Sequence, residues 1–255
     1  MFLNFKPISL KHFSFTNFSL NSFHISLFEH ISHFIQTHHE NYINKKMPKR
    51  IILIRHGESE GNVNPQSYSK IPDNKLQLTQ KGIKQALTAG VKLQKIIKNE
   101  SVKFIVSPYL RTIQTYENIS KSIKQNLQHK AIEPLIREQE FGNLHFLSKD
   151  IIKERLFVGR FYYRLSNGEN GADCYLRVSY FLDNLRKQMA NKQNHFNNYV
   201  IISHGIIMRL ILMKLMNLSI EQYEKLALPN NCAIWVMEKD MKGNYKLNKK
   251  IKYYY

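Results

Sequence analysis

The sequence predicts a layered α/β fold, and three observations predict it. From Arg50 onward, short β-branched runs alternate with longer stretches whose apolar residues recur at helical spacing. Two of those runs, Ile51-Ile52-Leu53-Ile54 and Tyr199-Val200-Ile201-Ile202, are continuously apolar, as strands covered on both faces of a parallel sheet are. Each delivers a histidine to a glycine-bearing turn, Arg55-His56-Gly57 in one case and Ser203-His204-Gly205 in the other. Ligands of open α/β sheets bind outside the carboxyl ends of the strands, so two histidines and an arginine are expected together at one end of one sheet.

Taken in order, Arg50–Arg55 reads as the first strand. A long polar loop follows, then a helix capped by Thr79 and running to about Lys98, with Ile83, Ala86, Leu87 and Leu93 on one stripe. Lys103–Ser107 is the second strand, and Arg111 opens the next helix, where a phosphate would also meet the free amides of the helix end. Ala131–Ile136 reads as a short strand or extended segment. Residues 143–170 carry many aromatics with little periodicity and are expected to form a partly helical flap over the site. Asp173 is placed as the cap of a helix running through Tyr180 and Leu185 to about Met189. Tyr199–Ser203 is the next strand, Ile206–Met216 an apolar helix and Ile220–Leu226 a short one. Cys232–Met237 and Tyr245–Lys249 close the chain as edge strands.

The chain has 255 residues, enough to bury a substantial core, and a formal charge of +19. A basic excess of that size invites a nucleic-acid reading. Lysine, however, is spread along the whole chain beside Asn and Ile, with no arginine-rich stripe, so no nucleic-acid partner is expected. The positive surface would instead draw anionic phosphate esters toward the site. Cys174 and Cys232 are the only cysteines, which supplies neither a disulfide framework nor a metal-ligand spacing and points to a reducing compartment, the cytoplasm. No apolar run approaches the length that spans a bilayer, and the oligomeric state is left open.

Two histidines and an arginine suit phosphoryl transfer through a covalent phosphohistidine. Imidazole is a nucleophile at neutral pH, and guanidinium neutralises phosphoryl oxygens. Arg55-His56-Gly57-Glu58 and Ser203-His204-Gly205 resemble the two signature boxes of the histidine phosphatase, or phosphoglycerate mutase-like, superfamily. Leu78-Thr79-Gln80-Lys81-Gly82 resembles the opening of that family's first helix, Ser107-Pro108-Tyr109-Leu110-Arg111-Thr112 its arginine box, and Arg137-Glu138-Gln139-Glu140-Phe141-Gly142 its acid box. Gly159-Arg160-Phe161-Tyr162-Tyr163-Arg164, followed by Asn167-Gly168-Glu169, is similar to the branch of broad-range acid phosphatases of yeasts and plants. Asn170 and Cys174 depart from that branch.

The resemblance covers about Met47 to Val236 and implies a three-layer α/β/α sandwich around a mostly parallel sheet. It also implies that His56 is the nucleophile, held neutral and in one tautomer, that Arg55 and Arg111 clamp the phosphoryl oxygens, and that His204 completes the pocket, protonated or donating. Glu138 is expected to donate the proton to the leaving group, with Glu140 as the rival. Ser59 and Asn62 are expected to bond phosphate or substrate, Gly57 and Gly205 to let the backbone approach it, and Glu58 to orient the loop. No metal and no cofactor is expected. The implied activity is metal-independent hydrolysis of small phosphate esters. Phosphoglycerate mutase activity, fructose-2,6-bisphosphatase activity and a catalytically retired binding protein stand as alternatives.

Residues 1–46 differ from the rest: they are rich in Phe, Ser, Asn and His, hold only Glu29 and Glu40 as acids, and lack arginine. They read as a disordered or targeting extension, with residues 47–255 as the catalytic domain and Met47, directly before the first strand, as an alternative start. Their histidines, His12, His24, His30, His33, His38 and His39, show no ligand arrangement. A protein beginning at Met47 should keep its thermal midpoint and activity. A large loss of either would show that the extension packs on the domain.

Overall fold

One six-stranded sheet organises the protein. Its strands are β1 (Arg50–Arg55), β2 (Val102–Val106), β3 (Gln128–Ile132), β4 (Asn198–Ser203), β5 (Ile234–Lys239) and β6 (Tyr245–Leu247), in the spatial order β3-β2-β4-β1-β5-β6. This computed structural model describes residues 47–124, 128–142, 149–190, 196–241, 243–248 and 253; the expectations for residues 1–46 and for part of the flap lie outside them. The first four strands run parallel, whereas β5 is antiparallel to both β1 and β6.

Alternation along β1 divides the core. Ile52 and Ile54 join Phe104, Val106, Val200 and Ile202 on one face, against α2 (Gln80–Ile97) and α3 (Leu110–Ser120), through Ala86, Leu93, Ile97 and Ile119. Ile51 and Leu53 join Ile105, Tyr199 and Ile201 on the other, against α5 (Gly171–Ala190) and α6 (Gly205–Met216), through Val178, Phe181, Leu185, Ile207 and Ile211. Helices on both faces of a mostly parallel sheet give the expected three-layer α/β/α sandwich. The shorter helices α1 (Glu60–Val63), α4 (Lys149–Val158) and α7 (Ile220–Lys225) complete the described α-helices.

The structure differs from the sequence reading at several places. β2 begins one residue early, at Val102. The segment expected as Ala131–Ile136 splits into β3 and a 3-10 turn, Pro134–Ile136, because Pro134 cannot donate to a ladder and suits the start of a turn. β5 is not an edge strand, since β6 pairs with its outer side. Asp173 does not cap α5. Asn170 does, its Oδ1 accepting from Asp173 N at 2.9 Å while Asp173 Oδ2 accepts from Asn170 N at 3.0 Å, a reciprocal capping box.

A further difference is the buried stripe of α2. It runs through Gly82, Ala86, Ala89, Gly90, Leu93 and Ile97, and Leu87 faces solvent. Small residues occupy it because α3 lies close: a Cβ on Gly90 would stand 2.6 Å from Ile119 O. That neighbour is backbone and can yield only if the helices separate. Gly90→Ala should therefore lower stability by about 1–3 kcal/mol in urea unfolding, as overpacking of a tight contact does. An unchanged midpoint would contradict the close packing.

Candidate active site

Parallel pairing of β1 with β4 sets Arg55 opposite Ser203, so the next residues, His56 and His204, leave adjacent strands side by side. His56 N donates to Ser203 O at 2.9 Å, which extends the ladder one residue into the loop. The two rings lie 5.3 Å apart between centroids. His56 Nδ1 stands 2.7 Å from Gly57 O, and a carbonyl only accepts, so Nδ1 carries the proton and Nε2 keeps its lone pair. Burial, then the charges of Arg111 and Arg55, hold the His56 pKa well below the ordinary 6.5, so the ring is neutral.

The loop around His56 is fastened to α2 and α3. Gly57 N donates to Thr115 Oγ1 at 3.0 Å. A Cβ on Gly57 would lie 2.6 Å from Gly82 O, and one on Gly82 would lie 2.0 Å from Glu58 O. The two glycines thus admit each other's backbones, and Gly57's neighbour here is the protein's own helix. Glu58 accepts from Thr79 Oγ1 at 2.9 Å and Lys81 Nζ at 2.7 Å, so it ties the loop to the start of α2. Thr79 caps that helix by accepting from Gly82 N at 3.0 Å.

His204 is fully buried at the N-cap of α6. Its Nε2 lies 2.8 Å from Ser107 Oγ, and its Nδ1 is buried without a hydrogen-bond partner among the described residues. The direction of this hydrogen bond sets which nitrogen of the neutral ring carries the proton. Burial first, then Arg111 and the neighbouring charges, push its pKa well below 6.5, which favours the donating neutral form over the protonated one. Arg111, from the first turn of α3, is buried and stacks 4.9 Å from the Tyr109 ring. Its Nη1 donates to both the backbone oxygen and Oδ1 of Asp73, each at 2.7 Å. Arg55 donates from Nη1 to Pro229 O at 2.7 Å, while its Nε is buried without a partner among the described residues.

Glu138 faces the same space. Its pKa is raised to about 7, first by burial and further by Asp73, against the opposing pull of Arg111, Gln139 N and Arg55. Its residual exposure is to the cavity it lines. Glu140, the rival acid, is exposed at the rim and accepts from Gly142 N at 3.1 Å. The cavity encloses about 1420 Å³ and is walled by Arg55, His56, Asn62, Arg111, Glu138 and Gly205. His204 lies just behind this wall.

Asn62 accepts from Ser59 N at 3.1 Å and from Asn231 Nδ2 at 3.0 Å, so its oxygen is committed to the loop while the residue borders the cavity. Ser59 is fully buried at the start of α1 and does not border it. Glycine at position 205 makes room for Leu228, whose Cδ1 would lie 2.7 Å from an added Cβ. Arginines 137, 155, 160 and 209 also face the cavity, as do Tyr68 and Asp73. The sequence reading singled out none of these for the site, and a lone acid in a polar loop such as Asp73 gives no signal of pairing with Arg111. Among the described residues no three His, Cys, Asp or Glu side chains gather as metal ligands. No described helix is long and apolar enough to cross a membrane.

This chain belongs to the histidine phosphatase superfamily, branch 1, whose profile matches residues 51–249. It is 42% identical over 220 residues to the phosphoglycerate mutase-like protein AT74 of Arabidopsis thaliana, covering 80% of this chain and 69% of that one. The broad-range acid phosphatase DET1 of Saccharomyces cerevisiae is 28% identical over 305 residues, covering 83% and 91%. Among solved structures, a mycobacterial glucosyl-3-phosphoglycerate phosphatase shares the fold with a TM-score of 0.61 at 16% identity, covering 81% and 100%.

Arg111 is held by an internal carboxylate at the place where an incoming anion would meet it. Asp73→Asn should therefore strengthen binding of inorganic phosphate by on the order of tenfold, or about 1.4 kcal/mol, measured by calorimetry. Unchanged or weaker binding would show that Asp73 does not compete for the guanidinium.

Proposed function

We propose that this protein is a metal-independent phosphomonoesterase that acts on small phosphate esters through a phosphohistidine at His56. The observation that carries the reading is the pairing of a neutral histidine, with Nδ1 tied to Gly57 O, and a carboxyl titrating near 7 across one arginine-walled cavity. The phosphoryl group of the ester is taken between Arg55, whose Nε is a buried donor without a partner among the described residues, and Arg111, with His204 beside His56 supporting the pocket. His56 Nε2 attacks phosphorus, the P–N bond forms, and the bond to the ester oxygen breaks. The positive charge on the ring is stabilised by the Nδ1–H bond to Gly57 O. Glu138 passes its proton to the departing alkoxide and becomes a carboxylate. That carboxylate then takes a proton from water, the water oxygen attacks phosphorus, the P–N bond breaks, and inorganic phosphate leaves with His56 neutral again.

Relatives named for both phosphatase and mutase activity leave the acceptor as the point to test. Transfer to a second hydroxyl of the same sugar acid, in place of water, would make the enzyme a mutase. The unbridged Cys174 and Cys232 support a reducing compartment such as the cytoplasm.

The titrations set the pH profile. Glu138 is protonated below about 7, so departure is assisted there and assistance is lost as pH rises through that value. His56 is neutral down to well below 6.5, so attack fails only on the acid side of that range. Turnover of alkyl phosphates should peak on the acidic side of neutrality. It should persist in excess EDTA, fall by about 10²–10⁴ in Glu138→Gln as for loss of a general acid, and vanish in His56→Ala. Activity abolished by EDTA, or isomerisation of 3-phosphoglycerate faster than any hydrolysis, would overturn the phosphomonoesterase reading.

A further inference from the structure

We infer that Arg177 and Glu169 are positioning residues for Glu138: together they fix the backbone from Leu135 to Glu140, and through it the place of the carboxyl that protonates the leaving group. The inference rests on reading Glu138 as the proton donor.

The segment carrying Glu138 has almost no regular structure of its own. Past the Pro134–Ile136 turn it runs without helix or ladder as far as Gly142, so its carbonyls need partners from elsewhere. Arg177, on the inner face of α5, supplies three of them. Its Nη1 donates to Leu135 O at 2.6 Å and Arg137 O at 2.8 Å, and its Nη2 donates to Glu138 O at 3.1 Å. Ser203 Oγ donates to the intervening Ile136 O at 2.8 Å. Glu169 holds the other end. Its backbone N donates to Glu140 O at 2.8 Å, its Oε2 accepts from Glu140 N at 3.0 Å, and its backbone oxygen accepts from Gln139 Nε2 at 2.6 Å.

The two residues lock each other. Arg177 Nε and Nη2 donate to the two oxygens of Glu169, each at 2.9 Å, a bidentate pair in which the remaining guanidinium protons reach the three carbonyls. Arg137 Nη2 also donates to Glu169, at 2.8 Å. A guanidinium fork can do this and an ammonium cannot, because five fixed donors are shared between one carboxylate and a curved run of backbone. Glu138's own carboxyl accepts from Gln139 N at 3.1 Å and makes no ion pair among the described residues. Its location is therefore inherited from the backbone. Neither Arg177 nor Glu169 borders the cavity, so neither would touch substrate.

Proton donation matters for an alkoxide and little for a phenolate with a low pKa, so leaving-group dependence separates positioning from folding. The test compares kcat/KM for an alkyl phosphate and for p-nitrophenyl phosphate in wild type, Arg177→Lys, Glu169→Gln and Glu138→Gln. Inorganic phosphate inhibition and thermal midpoint are recorded for each. Arg177→Lys and Glu169→Gln should lose on the order of tenfold or more on the alkyl ester and less than about threefold on p-nitrophenyl phosphate, with phosphate inhibition unchanged. Glu138→Gln should show the same selectivity more strongly.

Equal losses on both esters, or no loss, in folded Arg177→Lys and Glu169→Gln would overturn the inference. Should Arg177→Lys fail to fold, the isosteric Glu169→Gln decides alone. If Glu138→Gln shows no leaving-group selectivity, the reading of Glu138 as donor fails and the inference falls with it. If Glu138→Gln shows it and the other two do not, only the inference falls.

Discussion

The hydrogen bond from His56 N to Ser203 O, the last rung of the parallel ladder between β1 and β4, is the contact on which the site depends. Residues almost 150 positions apart in sequence reach one point because the two strands run parallel in register and stop together. Once they stop together, His56 and His204 cannot avoid each other, and both residues are buried. Neutrality follows from that placement and needs no special partner: burial outweighs every other influence on either imidazole. Glycine 57 then turns the chain against Gly82, and its carbonyl selects the tautomer that leaves Nε2 bare.

A second opposition sets the acid. Arg55 and Arg111 pull the Glu138 carboxyl toward ionisation, while burial and Asp73 push it toward the neutral form, and burial wins. The same arginines that would bind a phosphoryl group therefore stand beside a carboxyl that still carries its proton near neutrality. That coexistence requires a dry wall around Glu138, and the irregular segment bearing it stays in place through Arg177, Ser203 and Glu169.

Much of this was legible in the sequence, for identifiable reasons. Ile51–Ile54 and Tyr199–Ile202 are apolar enough to declare buried parallel strands, and the residues that end them are short-range features that a motif captures. Thr79 shows its capping role through its spacing to the helix stripe. What stayed hidden is long-range or depends on backbone packing. The buried face of α2 was misjudged at Leu87 because glycine and alanine, not large apolar residues, meet a helix that comes this close. Asn170 and Asp173 are each good caps, and only the reciprocal bonds decide between them. Ser59 sits three residues from the nucleophile in sequence yet is fully buried at the start of α1 and does not border the cavity. Asp73 and Arg177 act across 38 and 39 residues on Arg111 and Glu138, distances at which no local pattern speaks.

A covalent step at His56 leaves a trace that can be trapped directly. The protein is mixed with a phosphate-labelled ester for milliseconds, quenched in base and digested, and the label is mapped. A stoichiometric fraction of phosphate is expected on His56, stable in base and lost in acid. Single-turnover hydrolysis with no label on His56, or with label on another residue, would contradict it.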